Sequence, residues 1–202
     1  MLVNAGFLYC WRLFPNLFNA QGLKKLLVAV TLASLCIWAI LAFSFVSLAR
    51  SEMLPIQLLG FGAFALQVIA GTAMCWSKTP APRGSQKVGA STLVMRGLLA
   101  GSAIYFSVWL ANLGNPLLAG VASVFPAIFL TTMISVWLAQ GKAVPMGAVG
   151  PIMLGSSSVS VFSLSAIWTL PWLGVAVGAL TSWLLAIMVV SIPCWFFLRS
   201  RD

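Results

Sequence analysis

Uncharged apolar runs long enough to cross a bilayer recur along this chain. No Asp, Glu, Lys, Arg or His lies between Lys25 and Arg50, between Glu52 and Lys78, between Arg96 and Lys142, or between Lys142 and Arg199. A helix crosses the hydrocarbon core in about 20 residues, so the two longest runs must each fold back on themselves. Only 6% of the 202 residues are charged and 61% are hydrophobic, whereas a soluble domain carries about a quarter charged residues. Transmembrane β-strands would need segments of about 10 residues with strict alternation, and that pattern is absent. These observations predict an all-α polytopic membrane helix bundle.

Turn signals divide the runs into six spans. The first follows Lys24 and Lys25 and reaches about Leu48, and the second runs from Pro55 to about Trp76. Residues 77–94, rich in proline, glycine and serine, form the one substantial hydrophilic loop. The third span begins at Arg96 and ends near Asn112, where Gly-Asn-Pro marks a turn. The fourth reaches Ala139, the fifth runs from about Pro145 to Trp168, and the sixth follows a turn at Thr169–Pro171 and ends at Leu198. The organisation read from this is an interfacial N-terminal segment (1–22), a two-helix unit (23–76), a cytoplasmic loop (77–94) and a four-helix module (95–198). Residues 1–22 mix aromatics with Arg12, which suits the headgroup region; they also fit the trimmed end of a longer chain.

Positive charge sets the expected orientation. With the N-terminus inside, the inner segments hold Arg12, Lys24, Lys25, Lys78, Arg83, Lys87, Arg96, Lys142, Arg199 and Arg201, and the outer loops hold Arg50 alone. This asymmetry places both termini in the cytoplasm. It also accounts for the net charge of +9 without a nucleic-acid partner, since the basic residues show no aromatic interleaving.

Catalytic groups are missing from the apolar runs. There is no histidine, no paired carboxylate, no nucleophile with a base and no phosphate-cradling glycine loop. Cys10, Cys36, Cys75 and Cys194 lack metal-ligand spacing and read as small hydrophobes or free thiols. We therefore expect no enzyme activity, no metal and no cofactor. Ion-coupled sites in membranes usually need a buried ionisable group, which disfavours proton antiport through a buried carboxylate.

What polarity the spans do carry is concentrated in Gly114–Ser165. Pro126 interrupts the fourth span, removing one backbone hydrogen bond and displacing the carbonyl of Ala122, with Ser123 placed to help satisfy it. Thr131 and Ser135 share a face one turn beyond, next to Thr132. In the fifth span Ser156, Ser160 and Ser163 form a stripe at i, i+4 and i+7. Such hydroxyls commonly bond their own helix or pack helices together. Their density here makes Ser123, Pro126, Thr131, Ser135, Ser156, Ser160 and Ser163 the candidate pathway. Pro126, Gly147, Gly150 and Pro151 are the candidate hinges, because broken helices build transporter sites. Gly97 and Gly101, and Gly174 and Gly178, have the G-x-x-x-G spacing of close helix packing.

The third to sixth spans contain RGLLAG at residues 96–101 and LAGVASVFPAIFLTT at residues 118–132. With the two apolar helices that follow, this half of the chain resembles the small four-span bacterial inner-membrane proteins of the GlpM kind. The resemblance implies a compact four-helix module with inner termini, similar to halves of drug/metabolite-type carriers. This chain departs from the pattern by two further spans and an N-terminal segment before Arg96. Spans three-four and five-six are also both hairpins whose second helix opens Pro-x-Leu near Pro116 and Pro171, which suggests a parallel internal repeat. The expected function is a transporter-like membrane protein for a small neutral or weakly polar solute. The alternative is a non-transporting subunit or assembly factor that binds another membrane protein. The expected partners are the lipid bilayer, the solute, and a second copy of the chain or another membrane protein.

Overall fold

The computed structural model describes residues 1–18, 22–51, 53–76, 89–114, 116–123 and 125–200, without the side chains of residues 92, 96, 116, 117 and 123. Helices account for nearly all of it, and no strand occurs among the described residues. In chain order they are α1 (Leu2–Leu17), α2 (Leu23–Arg50), α3 (Ile56–Trp76), α4 (Ala90–Asn112), α5 (Pro116–Ser123), α6 (Ala127–Gln140), α7 (Ala143–Ala186), a π-helical turn (Ile187–Ser191) and α8 (Ile192–Arg199). Five helical stretches are long and apolar enough to cross a membrane. The last of them, Ala143–Arg199, has 57 residues. At 1.5 Å per residue it would be about 85 Å long if straight, against a core of about 30 Å, so it makes two crossings. The described chain is thus helical, with five to six stretches long and apolar enough to cross a membrane, as in a multi-pass membrane protein.

Gly174 divides the last two spans. Its φ of 75° and ψ of 170° lie in a region that only glycine occupies without strain, and the chain reverses there. The reversal is tight: the Thr169 hydroxyl donates to the Gly178 carbonyl at 3.1 Å and lies 2.6 Å from the Ser182 hydroxyl. A Cβ on Gly178 would stand 2.6 Å from the Thr169 oxygen, so Gly178 does serve close packing. Gly174 does not, because it is the turn itself. The expected turn at Thr169–Pro171 is therefore displaced toward the C-terminus: proline fits the helical φ, whereas the reversal needs a positive φ. Gly141, with φ 80° and ψ 174°, plays the same part between α6 and α7.

Two further differences concern helix ends. α4 begins at Ala90, six residues before Arg96, since the apolar residues after Gly89 continue the helix. The segment Gly147–Pro151 stays helical, Gly174 being the residue of α7 outside helical geometry.

The described chain forms two compact units interleaved in sequence. One contains residues 6–50 and 79–149, hence most of α1 with α2, α4, α5 and α6. The other contains residues 1–5, 51–78 and 150–202, hence α3 with most of the last two crossings. In the first, α4 packs along α5 and α6, and α2 packs on both. α1 is amphipathic: Phe7, Leu8 and Trp11 are fully buried, while Tyr9, Leu13 and Leu17 are exposed. The Leu41 side chain occupies the space beside Gly6, and Trp11 packs edge-on against Trp137 with ring centroids 5.9 Å apart.

In the other unit α3 and the first half of α7 run antiparallel. Gly150 faces Cys75, Gly71 faces Leu154 and Gly60 faces Leu164, and Phe61 stacks on Trp168 at 6.1 Å. A Cβ on Gly71 would lie 3.0 Å from backbone atoms of Leu154, so the missing side chain sets the interhelical distance. Beyond α7, Pro193 has no N–H for the Val189 carbonyl, and the backbone widens into the π-turn just before it.

Two measurements check this fold. Gly174→Ala should destabilise the protein by about 1–3 kcal/mol, read as a lower unfolding midpoint in detergent. Burial pushes the Cys10 thiol up to about 11, against a smaller opposing pull from a backbone hydrogen bond. A variant retaining only Cys10 should therefore resist maleimide at pH 8 and react as the pH approaches 11, because the thiolate is the reacting form. Rapid labelling at pH 8 would show that α1 does not pack as described.

Candidate functional site

The fourth span is two half-helices rather than one bent helix. α5 ends at Ser123 and α6 starts at Ala127, with Pro126 at φ −77° and ψ 38° between them. The displaced backbone groups find partners locally. The Phe125 N–H donates to the Ala122 carbonyl at 3.2 Å, the Ala127 N–H donates to the Phe125 carbonyl at 2.8 Å, and the Leu130 N–H donates to the Pro126 carbonyl at 2.7 Å. The partner of the Ala122 carbonyl is thus backbone; the Ser123 side chain lies outside the described residues. Pro126 is fully buried, and Trp38 of α2 meets Phe125 edge-on with centroids 5.3 Å apart.

A groove of about 430 Å³ lies along this break. Its walls come from α2 (Trp38), α4 (Leu99, Ser102, Phe106) and the α5 side (Ala122, Phe125). The lining is apolar with one hydroxyl, Ser102. This suits a small molecule that is mostly hydrocarbon and carries little polarity. A smaller cavity of about 210 Å³ in the other unit borders the π-turn, where Thr72, Ser157 and Cys194 supply its polar atoms.

The hydroxyls of the sequence-derived pathway turn mostly onto their own helices. Thr131 donates to the Ala127 carbonyl at 2.8 Å and to that of Ile128 at 3.1 Å, and Ser135 donates to that of Thr132 at 3.1 Å. Ser163 donates to the Val159 carbonyl at 2.9 Å and Ser156 to that of Met153 at 3.0 Å. Ser156 and Ser160 also meet a residue that the sequence reading passed over. Gln67, fully buried near the middle of α3, donates from Nε2 to the Met153 carbonyl at 3.2 Å and to Ser156 Oγ at 3.0 Å. Its Oε1 accepts from Ser160 Oγ at 3.2 Å. The amide uses three of its four bonding positions and clasps the serine stripe to span two. The stripe and the clasp belong to one unit, and Pro126, Thr131 and Ser135 to the other. A lone amide in the middle of an apolar helix was the available signal, because a polar group at that depth requires a partner on another helix.

A second group that the sequence reading missed is defined by what it lacks. Among the described residues, four buried side-chain polar atoms have no hydrogen-bond partner: Trp11 Nε1, Thr31 Oγ1, Ser34 Oγ and Trp137 Nε1. All four belong to the unit that contains the broken span. An unsatisfied buried polar atom costs roughly 1–3 kcal/mol, so this unit carries a polar cost that the Gln67 unit does not.

Comparisons with protein-family models, with characterised proteins and with solved structures gave no match to this chain. Among the described residues no cluster of three metal-ligating side chains occurs.

Gln67→Leu should lower stability by about 1–3 kcal/mol, since each of its three interhelical hydrogen bonds is worth about 0.6 kcal/mol on average in membranes. Gly71→Leu should do far more damage, because its added atoms would meet backbone. Unfolding midpoints of both variants beside the original check the order, and Gln67→Leu proving the worse would refute the clasp geometry.

Proposed function

We propose that this is a carrier-like membrane protein that moves a small neutral or weakly polar solute along the groove beside the broken fourth span. One observation carries the reading: a groove of about 430 Å³ lies along the fourth span where it is split at Pro126. Discontinuous helices near the middle of the membrane are where carriers bind their solutes, because backbone there can bend and still find partners. Pro126 is the hinge in this reading, and Trp38, Ser102 and Phe125 form the lining. Ser156 and Ser160 hold span five to span two and serve the scaffold. Both termini face the cytoplasm, as the lysine and arginine distribution requires. The resemblance of residues 96–198 to GlpM-type proteins and carrier halves agrees with the same reading.

A second reading, a subunit that binds another membrane protein or a second copy of itself, is favoured by one feature of span three. A Cβ on Gly97 or Gly101 would meet no described atom within 4 Å, which leaves a small-residue face for another helix.

Flux of acetamide, butyramide and similar weakly polar neutral solutes into proteoliposomes tests the carrier reading. Ser102→Phe, which fills the groove, should reduce flux at least tenfold, while Gly97→Ile should leave it near the original rate. No flux of any solute with the unaltered protein, combined with loss of a complex in Gly97→Ile, would favour the subunit reading. For orientation, Ser85→Cys in a background without other cysteines should react with an impermeant probe only from the cytoplasmic face.

A further inference from the structure

Serine and threonine in membrane helices usually turn back onto a carbonyl three or four residues earlier. Ser107, Thr131, Thr132, Ser157, Ser163, Ser165 and Thr181 all do so. Thr31 and Ser34 do not; their oxygens are buried without a partner, and Ser34 is fully enclosed. They stand three residues apart on α2. Trp38, four residues past Ser34, continues the same face to the groove at the helix break. The other two unsatisfied atoms are the indole N–H groups of Trp11 and Trp137, whose rings touch edge-on. Both rings are fully buried. α1, α2 and α6 thus contribute all four groups, and α2 packs on α6.

We propose that Trp11, Thr31, Ser34 and Trp137 form a recognition subsite for an uncharged molecule that presents hydrogen-bond acceptor oxygens, such as a carbonyl or ether, on an apolar body. The indoles can only donate, and the hydroxyls both donate and accept. All four groups can donate while only the two hydroxyls can accept, so an occupant that offers acceptor oxygens suits the set. A charged occupant would find no opposite charge within the spans, where isolated charge is expensive. The apolar body matches the groove that Trp38 walls. As a statement about solute class this rests on the carrier reading, but binding is measurable without transport.

The test uses the full chain in lipid nanodiscs with ¹⁵N-labelled tryptophan. Cyclohexanone and methylenecyclohexane, alike in shape and differing by the carbonyl oxygen, are the probes. Cyclohexanone should move two of the nine indole N–H resonances downfield in a saturable way, and methylenecyclohexane should move neither. Trp11→Phe and Trp137→Phe assign those two; if either fails to fold, the count of responding resonances remains the readout. Thr31→Val and Ser34→Ala, close in volume, should each weaken the apparent affinity about five- to tenfold, with the unresponsive resonances in place as the check on folding. The subsite is overturned if no indole resonance responds, if both probes act alike, or if the hydroxyl variants keep the original affinity. Solute flux without any indole response would sink the subsite and leave the carrier reading standing. An indole response with no flux would support the subsite and remove the carrier reading.

Discussion

Hydrocarbon offers no hydrogen bonds, and most of the polar groups described in these crossings find their partners within the protein. Where the backbone is interrupted at Pro126, the stranded Ala122 carbonyl is taken by the Phe125 N–H three residues on. Where hydroxyls enter the spans, most are returned to their own helix. Where an amide enters, at Gln67, it is met by two serines and a carbonyl of the antiparallel helix. The same requirement makes close approach necessary in α3 and α7, because bonds of 3.0–3.2 Å form only if the two backbones come near each other. Gly71 and Gly150 on one side of the clasp, and Gly60 on the other, allow that approach. Packing and polarity in this unit are therefore one device.

The two units handle polarity in opposite ways. Among the described residues, one leaves no buried side-chain polar atom without a partner. The other leaves two indoles and two hydroxyls unanswered, splits a helix, and lines a groove with aromatic and aliphatic side chains. The serine stripe, which attracts attention in the sequence, falls in the first of these units.

Much of this was legible in the sequence because it depends on composition over long windows. Membrane class, helix type and six crossings follow from charge-free runs of known length. The break at Pro126 was legible because proline acts on its own backbone wherever it sits. The features that were not legible depend on a partner far along the chain. Gln67 stands out only as a lone amide in an apolar helix, and which residues answer it is not evident until a helix 86 positions later proves to carry its acceptor. Gly174 and Gly178 have identical spacing to any packing pair, yet one is a turn and the other a contact, and only the backbone angles separate them. Thr31 and Ser34 look like every other hydroxyl in the spans, and what sets them apart is the bond they do not make.

The clasp also has a consequence in time. α3 is complete long before the residues that answer its amide exist. At roughly 5–20 residues per second, the ribosome needs about 5–20 s to make the 86 to 93 positions that separate Gln67 from Met153, Ser156 and Ser160. Through that interval the amide sits in a newly inserted helix with no partner of its own unit. The bonds that join the second crossing to the fifth can therefore form only after the fifth has been made.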